Sequence, residues 1–333
     1  MKADERPPLA ELTARLTQLV KRVDSRLNHA ERIERVSAGA TLETWSFDAV
    51  GAERCVPLIM RRAAGARAIG TLSLPVEAQV LQVVARSGVP VPEVWQVLSP
   101  EDELGEGFLM RRIDGWTIPQ KILRSPELAE IRPSLVDRYG AILAAIHGVP
   151  RTDCPSLPVV NASSHLQRVE QQYRAQTTVR PVFELALRWL HDHPPPAGEP
   201  TLVHGDYRNG NFIIGGDGVR AVLDWEGAHI GDPAEDLAWL CLPPWRFGEL
   251  DRAAGGLGSR EALLRAYESA SQRVIEPARL KWWEVFGSLR WGVTCADMTE
   301  WVRSGRDRTI ERAMIARRAS ESELDLLRVL APR

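Results

Sequence analysis

Residues 202–240 read LVHGDYRNGNFIIGGDGVRAVLDWEGAHIGDPAEDLAWL, and the way apolar runs and short polar clusters succeed one another there decides the fold. A short apolar approach ends at His204-Gly205-Asp206, and four residues separate Asp206 from Asn211. Phe212 to Ile214 then form a strand, Gly215 to Gly218 a turn, and Val219 to Leu223 a returning strand with Asp224 at its end. A hairpin of this kind gathers Asp206, Asn211 and Asp224 around one small volume. Phosphoryl transfer needs a carboxylate that takes the proton of an attacking hydroxyl, a carboxylate on Mg²⁺, and a neutral oxygen completing the metal's shell. Those three residues supply all three functions.

Protein kinases carry H-R-D-x-x-x-x-N and D-F-G for this work. The run from His204-Gly205-Asp206 to Asn211, followed by Asp224-Trp225-Glu226, has the same order and spacing with local substitutions. The strings HGDYRNGN and VLDWEGAHIGDPAEDLAW resemble the aminoglycoside-phosphotransferase (choline-kinase-like) family, most of all its branch of kinase domains associated with acyl-CoA dehydrogenases. The resemblance covers nearly the whole chain, with its sharp motifs between 202 and 240. It implies an α+β, bilobal, protein-kinase-like fold, with a small β-rich N-lobe and a larger helical C-lobe. It also implies ATP or GTP with Mg²⁺, and a small-molecule hydroxyl as acceptor, thought to be a hydroxyacyl-CoA in this branch. By position, Asp206 would be the base, Asn211 and Asp224 the metal ligands, and His204, Glu226, Asp232 and Asp236 supporting residues. Asp232, before Pro233, has a competing role as a cap for the helix AEDLAWL.

Working outward, Leu9, Leu12, Leu16, Leu19, Val20, Val23 and Leu27 sit at helical spacing, so an amphipathic helix opens the chain. Three regions are expected: a helical extension over 1–34 packed on the first lobe, a nucleotide-binding lobe over 35–113, and a helical lobe over 114–333. In the first lobe, residues 44–50 alternate, 51–54 turn, and 55–60 resume an apolar run, which reads as a hairpin. Ser37, Ala38, Gly39, Ala40 and Thr41 are the phosphate-loop candidate, because small residues let a backbone approach an anion. LIMR (58–61) aligns with the kinase V-A-I-K, which puts Arg61 at the lysine's position, opposite Leu58 and Met60. Arg62 is its rival. Glu77, just after Pro75, is the candidate partner on the following helix, with a first-turn acid stabilised by the helix dipole as the other reading. FLMRRIDG resembles the family's linker strand, so Met110, Arg111 and Arg112 are expected at the nucleotide base.

Helices dominate beyond residue 134, and the last, 321–330, is expected to open with a capping box from Ser320 and Glu323. Of the eleven Trp, Trp282, Trp283, Trp291 and Trp301 fall on one long predicted helix, and the related faces of Trp282, Trp291 and Trp301 suit either an apolar acyl pocket or a core. Arg290, Arg303, Arg306, Arg308, Arg312, Arg317 and Arg318 make the last helices basic, which favours an anionic acceptor over a polycation. His147 is either a packed core histidine or a family feature of the linking helix.

Composition narrows the classes. With 42 Lys plus Arg against 44 Asp plus Glu, there is no basic excess to attract nucleic acid. The four cysteines form no CxxC pair, which argues against a zinc or redox motif built from them. No apolar stretch reaches the roughly 20 residues of a membrane span, so a cytoplasmic monomer or homodimer is expected. Two further readings stay open: an aminoglycoside antibiotic phosphotransferase, and a nucleotide-binding pseudokinase acting as a scaffold.

Overall fold

Leu12, Leu16, Leu19 and Val20 recur at three- and four-residue spacing, and α1 (Leu9–Val23) buries all four. In this computed structural model, which describes residues 9–38, 42–63, 70–196, 198–307 and 309–331, the helix covers one face of a five-stranded sheet. The strands are β1 (Leu27–Ala38), β2 (Leu42–Gly51) and β3 (Cys55–Ala63); α2 (Leu74–Arg86) follows, then β4 (Val94–Val97) and β5 (Gly107–Arg111). Their order across the antiparallel sheet is β1-β2-β3-β5-β4.

The helical extension expected over 1–34 is corrected at its end: α1 stops at Val23, and residues 27–38 are an edge strand. Period-two reading fails there because the pairing of β1 with β2 shifts register three times, and Arg32 takes a left-handed φ of 51°.

Phe47, Leu58, Met60 and Leu109 face α1 in a core of their own. Phe108 and Met110 point the other way, into a second core shared with α2 and the helices beyond. The sheet is thus filled on both faces. Leu16→Ala is expected to destabilise the protein by about 2–5 kcal/mol, the usual cost of emptying a fully buried leucine site; urea unfolding followed by circular dichroism measures it.

The rest of the chain is mainly helical: α3 (Pro119–Arg124), α4 (Leu135–His147), α5 (Ala162–Arg174) and α6 (Pro181–Asp192) precede the motif segment. That segment forms β6 (Thr201–Val203), β7 (Phe212–Gly215), β8 (Gly218–Val222), β9 (His229–Gly231) and α7 (Ala234–Cys241). Then come α8 (Arg260–Ser271), α9 (Pro277–Arg303), α10 (Ile310–Ala316) and α11 (Ala319–Leu330). β7 pairs with β8 as the predicted hairpin, and β6 pairs with β9. The capping box expected at Ser320 is absent. α11 begins at Ala319 after Arg317 and Arg318, both in right-handed helical conformation, so Ser320 lies inside the first turn. Trp282 is core, donating Nε1 to the Leu190 carbonyl and stacking on Phe286. No helix among the described residues is long and apolar enough to cross a membrane.

Candidate active site

The loop from β6 to β7 alternates in burial. Tyr207, Asn209 and Asn211 turn inward while Asp206, Arg208 and Gly210 are half-exposed. Tyr207 donates its hydroxyl to the Tyr139 carbonyl, and Asn209 accepts from the Tyr139 hydroxyl and donates to the Gly255 carbonyl. Two anchors in the helical core therefore fix the loop, neither of which the sequence reading singled out. Gly205 has φ +81°, and a β-carbon there would lie 2.5 Å from the Gly227 carbonyl oxygen. Both facts explain why a glycine stands in this loop.

Asp206 is held from three sides. Trp239 Nε1 donates to its Oδ1 at 2.7 Å, Asn211 Nδ2 to its Oδ2 at 2.7 Å, and Arg208 Nε to both at 2.9 and 3.2 Å. All are donors, so the carboxylate is presented as an acceptor, with 29% of its side chain still open to solvent.

His204 is buried under it. Its Nδ1 accepts the Asp206 amide at 3.1 Å, which leaves Nε2 to donate to the Leu223 carbonyl at 3.0 Å. Leu223 in turn donates its amide to the Asn211 carbonyl. The base loop and the Asp224 turn are thereby laced together, side by side.

Asp224 has φ 68° and ψ 61°, a left-handed conformation that an aspartate tolerates at some strain. Trp225 holds the turn, fully buried with Nε1 bonded to the Val222 carbonyl. The Asp224 carboxylate, 39% exposed, accepts from Arg61 Nη2 at 3.2 Å. The other Arg61 nitrogen, Nη1, donates to Glu77 at 2.6 Å. Arg61 therefore joins β3, α2 and the Asp224 turn. Arg62 faces the α1 side instead, bound to Glu43 at 2.7 Å, so the structure separates the two rivals. Glu226 adds negative charge near Arg61, which together with Glu77 and Asp224 more than offsets the burial that would lower the guanidinium's pKa.

Among the remaining expected residues, Met110 is buried under the sheet, and Arg111 pairs with Glu93 at 3.4 Å. Arg112 turns its guanidinium to Asp48 and Ser46, which by the β2–β3 register lie on the same face of the sheet as Arg61. Gly39, Ala40 and Thr41 lie outside the described residues; Ser37 and Ala38 are the end of β1. Asp236 accepts the amides of His204 and Gly205, and His147 contacts its Oδ2 at 3.3 Å. Asp232 both accepts the Ala234 amide at the start of α7 and pairs with Arg279 at 2.8 Å, so it serves the helix end and not the Asp206 loop.

Oxygen ligands suit a hard cation such as Mg²⁺. The half-exposed Asp224 carboxylate and the Asn211 Oδ1, whose Nδ2 is already committed to Asp206, are oxygens of the kind such an ion takes.

The wall beside Asp206 is aromatic and cationic. Arg290 lies over Trp239 at 4.0 Å, Arg208 over Trp245 at 4.5 Å, and Trp245 meets Trp291 at 4.9 Å. The positive charge expected from the last helices is largely neutralised locally: Arg303 pairs with Glu300, Arg312 with Asp307 and Arg318 with Glu321. Arg290 of the same set pairs with Glu235 at 3.0 Å, and Arg208 with Asp206 at 2.9 Å, while both guanidinium groups stay stacked on the tryptophans. An apolar hollow of about 470 Å³ lined by Val159, Pro195, Gly231 and Arg279 opens at the opposite end of the β6–β9 ribbon from Asp206.

A family model described as "Phosphotransferase enzyme family" matches residues 32–283. Acyl-CoA dehydrogenase family member 10 of Mus musculus is 32% identical over 177 residues, half of this chain and 16% of that protein. Family member 11 of Gallus gallus is 31% identical over 176 residues, 49% of this chain and 22% of that protein. The chain thus spans under a quarter of the length of these relatives. Among solved structures, an aminoglycoside-phosphotransferase-like protein of Ralstonia eutropha superposes with a TM-score of 0.76 at 22% identity, covering 93% of this chain and 96% of that one. The aminoglycoside phosphotransferase APH(4)-Ia, in ternary complex with AMP-PNP and hygromycin B, gives 0.64 at 18% identity over 95% and 100%. The architecture is that of a bilobal, protein-kinase-like α+β fold.

Proposed function

We propose that this chain, which belongs to the phosphotransferase enzyme family, moves the γ-phosphoryl group of ATP or GTP to the hydroxyl of a small molecule, by preference a hydroxyacyl-CoA. The observation that carries this reading is the lacing of three segments: Asp206 held by Trp239, Arg208 and Asn211, next to a turn whose Asp224 is tied through Arg61 to Glu77.

In this reading the acceptor hydroxyl approaches the open side of Asp206, which takes its proton as the new O–P bond forms. The bond from the γ-phosphorus to the bridging oxygen breaks, the nucleoside diphosphate leaves, and the proton passes from Asp206 to solvent. Arg61 grips the α and β phosphates in the lysine's place, its planar guanidinium fixed by Glu77. Magnesium held by Asn211 Oδ1 and Asp224 would offset the negative charge of the phosphates.

The acceptor class rests on the Trp239–Trp245–Trp291 wall, which offers apolar surface together with the guanidinium groups of Arg208 and Arg290, each stacked on an indole and paired with one carboxylate. A phosphorylated, acyl-bearing molecule matches that combination, and the acyl-CoA dehydrogenase relatives add weight to it. A polycationic antibiotic would meet two arginines beside the base.

The test is nucleoside diphosphate release from ATP and Mg²⁺, corrected for hydrolysis without acceptor, across hydroxyacyl-CoAs, aminoglycosides and amino alcohols. Hydroxyacyl-CoA-dependent release is expected. Turnover of aminoglycosides alone would overturn the acceptor, and no turnover with any acceptor would favour the scaffold reading.

Arg61→Ala is expected to lower kcat/KM for the nucleotide by about 10–100-fold, the worth of one charge-assisted phosphate contact. Steady-state kinetics over a nucleotide titration checks it, and the same loss in Arg62→Ala would sink the assignment.

A further inference from the structure

A second cluster of chemistry lies outside the cleft. His165 on α5, His229 on β9 and Glu235 in the first turn of α7 are each at least nine-tenths buried and turn toward a common point. His165 Nε2 lies 3.3 Å and His229 Nε2 3.2 Å from Glu235 Oε2, and the two Nε2 atoms are 3.5 Å apart. A tetrahedral ion with ligands at about 2.0–2.1 Å separates its ligand atoms by about 3.3–3.4 Å. All three edges fall close to that length.

The surroundings fix these groups as ligands. His229 Nδ1 faces the Gly227 carbonyl at 3.0 Å, so the ring proton belongs there and the Nε2 lone pair looks inward. A β-carbon on Gly231 would come within 2.8 Å of that nitrogen, and glycine leaves its approach open. Arg290 Nη1 holds the other carboxylate oxygen of Glu235 at 3.0 Å, orienting the group as outer partners of metal ligands do. Trp283 and Phe286 enclose His165.

We propose that His165 Nε2, His229 Nε2 and Glu235 Oε2 form a buried binding site for one divalent transition-metal ion of the zinc class, separate from the cleft that holds Asp206. Two imidazoles and a carboxylate select such an ion over magnesium, and three protein ligands leave the fourth tetrahedral position to a water.

The experiment uses the full chain, stripped with a chelator, dialysed against Zn²⁺ and then against metal-free buffer, with zinc measured by elemental analysis. About one zinc per chain is expected in the native protein, falling at least about tenfold in Glu235→Gln and in His229→Gln. Cobalt loading of the native protein gives a second readout that needs no variant: visible absorption of a tetrahedral ion without a thiolate band. Native protein that retains no zinc, folded variants that retain it fully, or a cobalt spectrum that is octahedral or thiolate-bound would each overturn the proposal. None of these readouts depends on turnover, so failure of the kinase reading leaves the test intact.

Discussion

Asp206→Asn is expected to lower kcat by about 10²–10⁴-fold, the usual worth of a positioned general base, with little change in nucleotide affinity. The asymmetry follows from where the two functions hang. Arg61, Glu77 and the Asp224 turn are carried by β3, α2 and the end of the β7–β8 hairpin, and none of them contacts the Asp206 side chain among the interactions described. An asparagine keeps the volume but brings an NH₂ group against donors. Trp239 Nε1 occupies one carboxylate oxygen and Asn211 Nδ2 the other, so one contact becomes donor against donor. Single-turnover kinetics with the identified acceptor, alongside calorimetric nucleotide binding and an unfolding curve, separates lost chemistry from lost loop geometry. Turnover near the native rate would mean that the proton leaves by another route and that Asp206 is not the base.

The motif segment was legible because its chemistry lies in one short run. The loop that carries the base and the hairpin that carries the turn are contiguous, so residue order alone fixes their proximity. Arg61 could be placed by alternation, since Leu58 and Met60 face one core and Arg61 the other side. β1 was not legible, because bulges around Arg32 destroy the periodicity that marks a strand. Arg62 remained a rival until its partner Glu43 appeared across the sheet, a pairing between strands that sequence order does not announce. The cluster of His165, His229 and Glu235 was hidden for the same reason: its members come from three elements, with 64 positions between the two histidines. Buried polar groups of this kind show no pattern in a single sequence, because the signal is convergence in space and not spacing along the chain.

Asp236→Ala is expected to cost about 3–9 kcal/mol of stability and to remove activity with it. The side chain is fully buried, and its two oxygens accept the amides of His204 at 2.8 Å and Gly205 at 2.9 Å. His147 adds a third contact: its Nδ1 faces the Tyr267 hydroxyl at 3.0 Å, leaving Nε2 to donate to Asp236. Burial pushes Tyr267 up to about 12, so its hydroxyl stays protonated as the donor in that chain at neutral pH. Alanine would strand two backbone amides and an imidazole N–H away from water, at about 1–3 kcal/mol for each unsatisfied group. The loss also reaches the base, because Asp206 follows Gly205 directly and its own amide rests on His204 Nδ1. Asparagine would do little better, since its single oxygen serves one amide while its NH₂ faces the other. Urea unfolding of both variants measures the cost; a change under about 1 kcal/mol would mean that the loop is held by its Tyr207 and Asn209 anchors alone. The helix carrying Asp236 and Trp239 therefore positions the base twice, once through the backbone beneath it and once through the indole on its carboxylate.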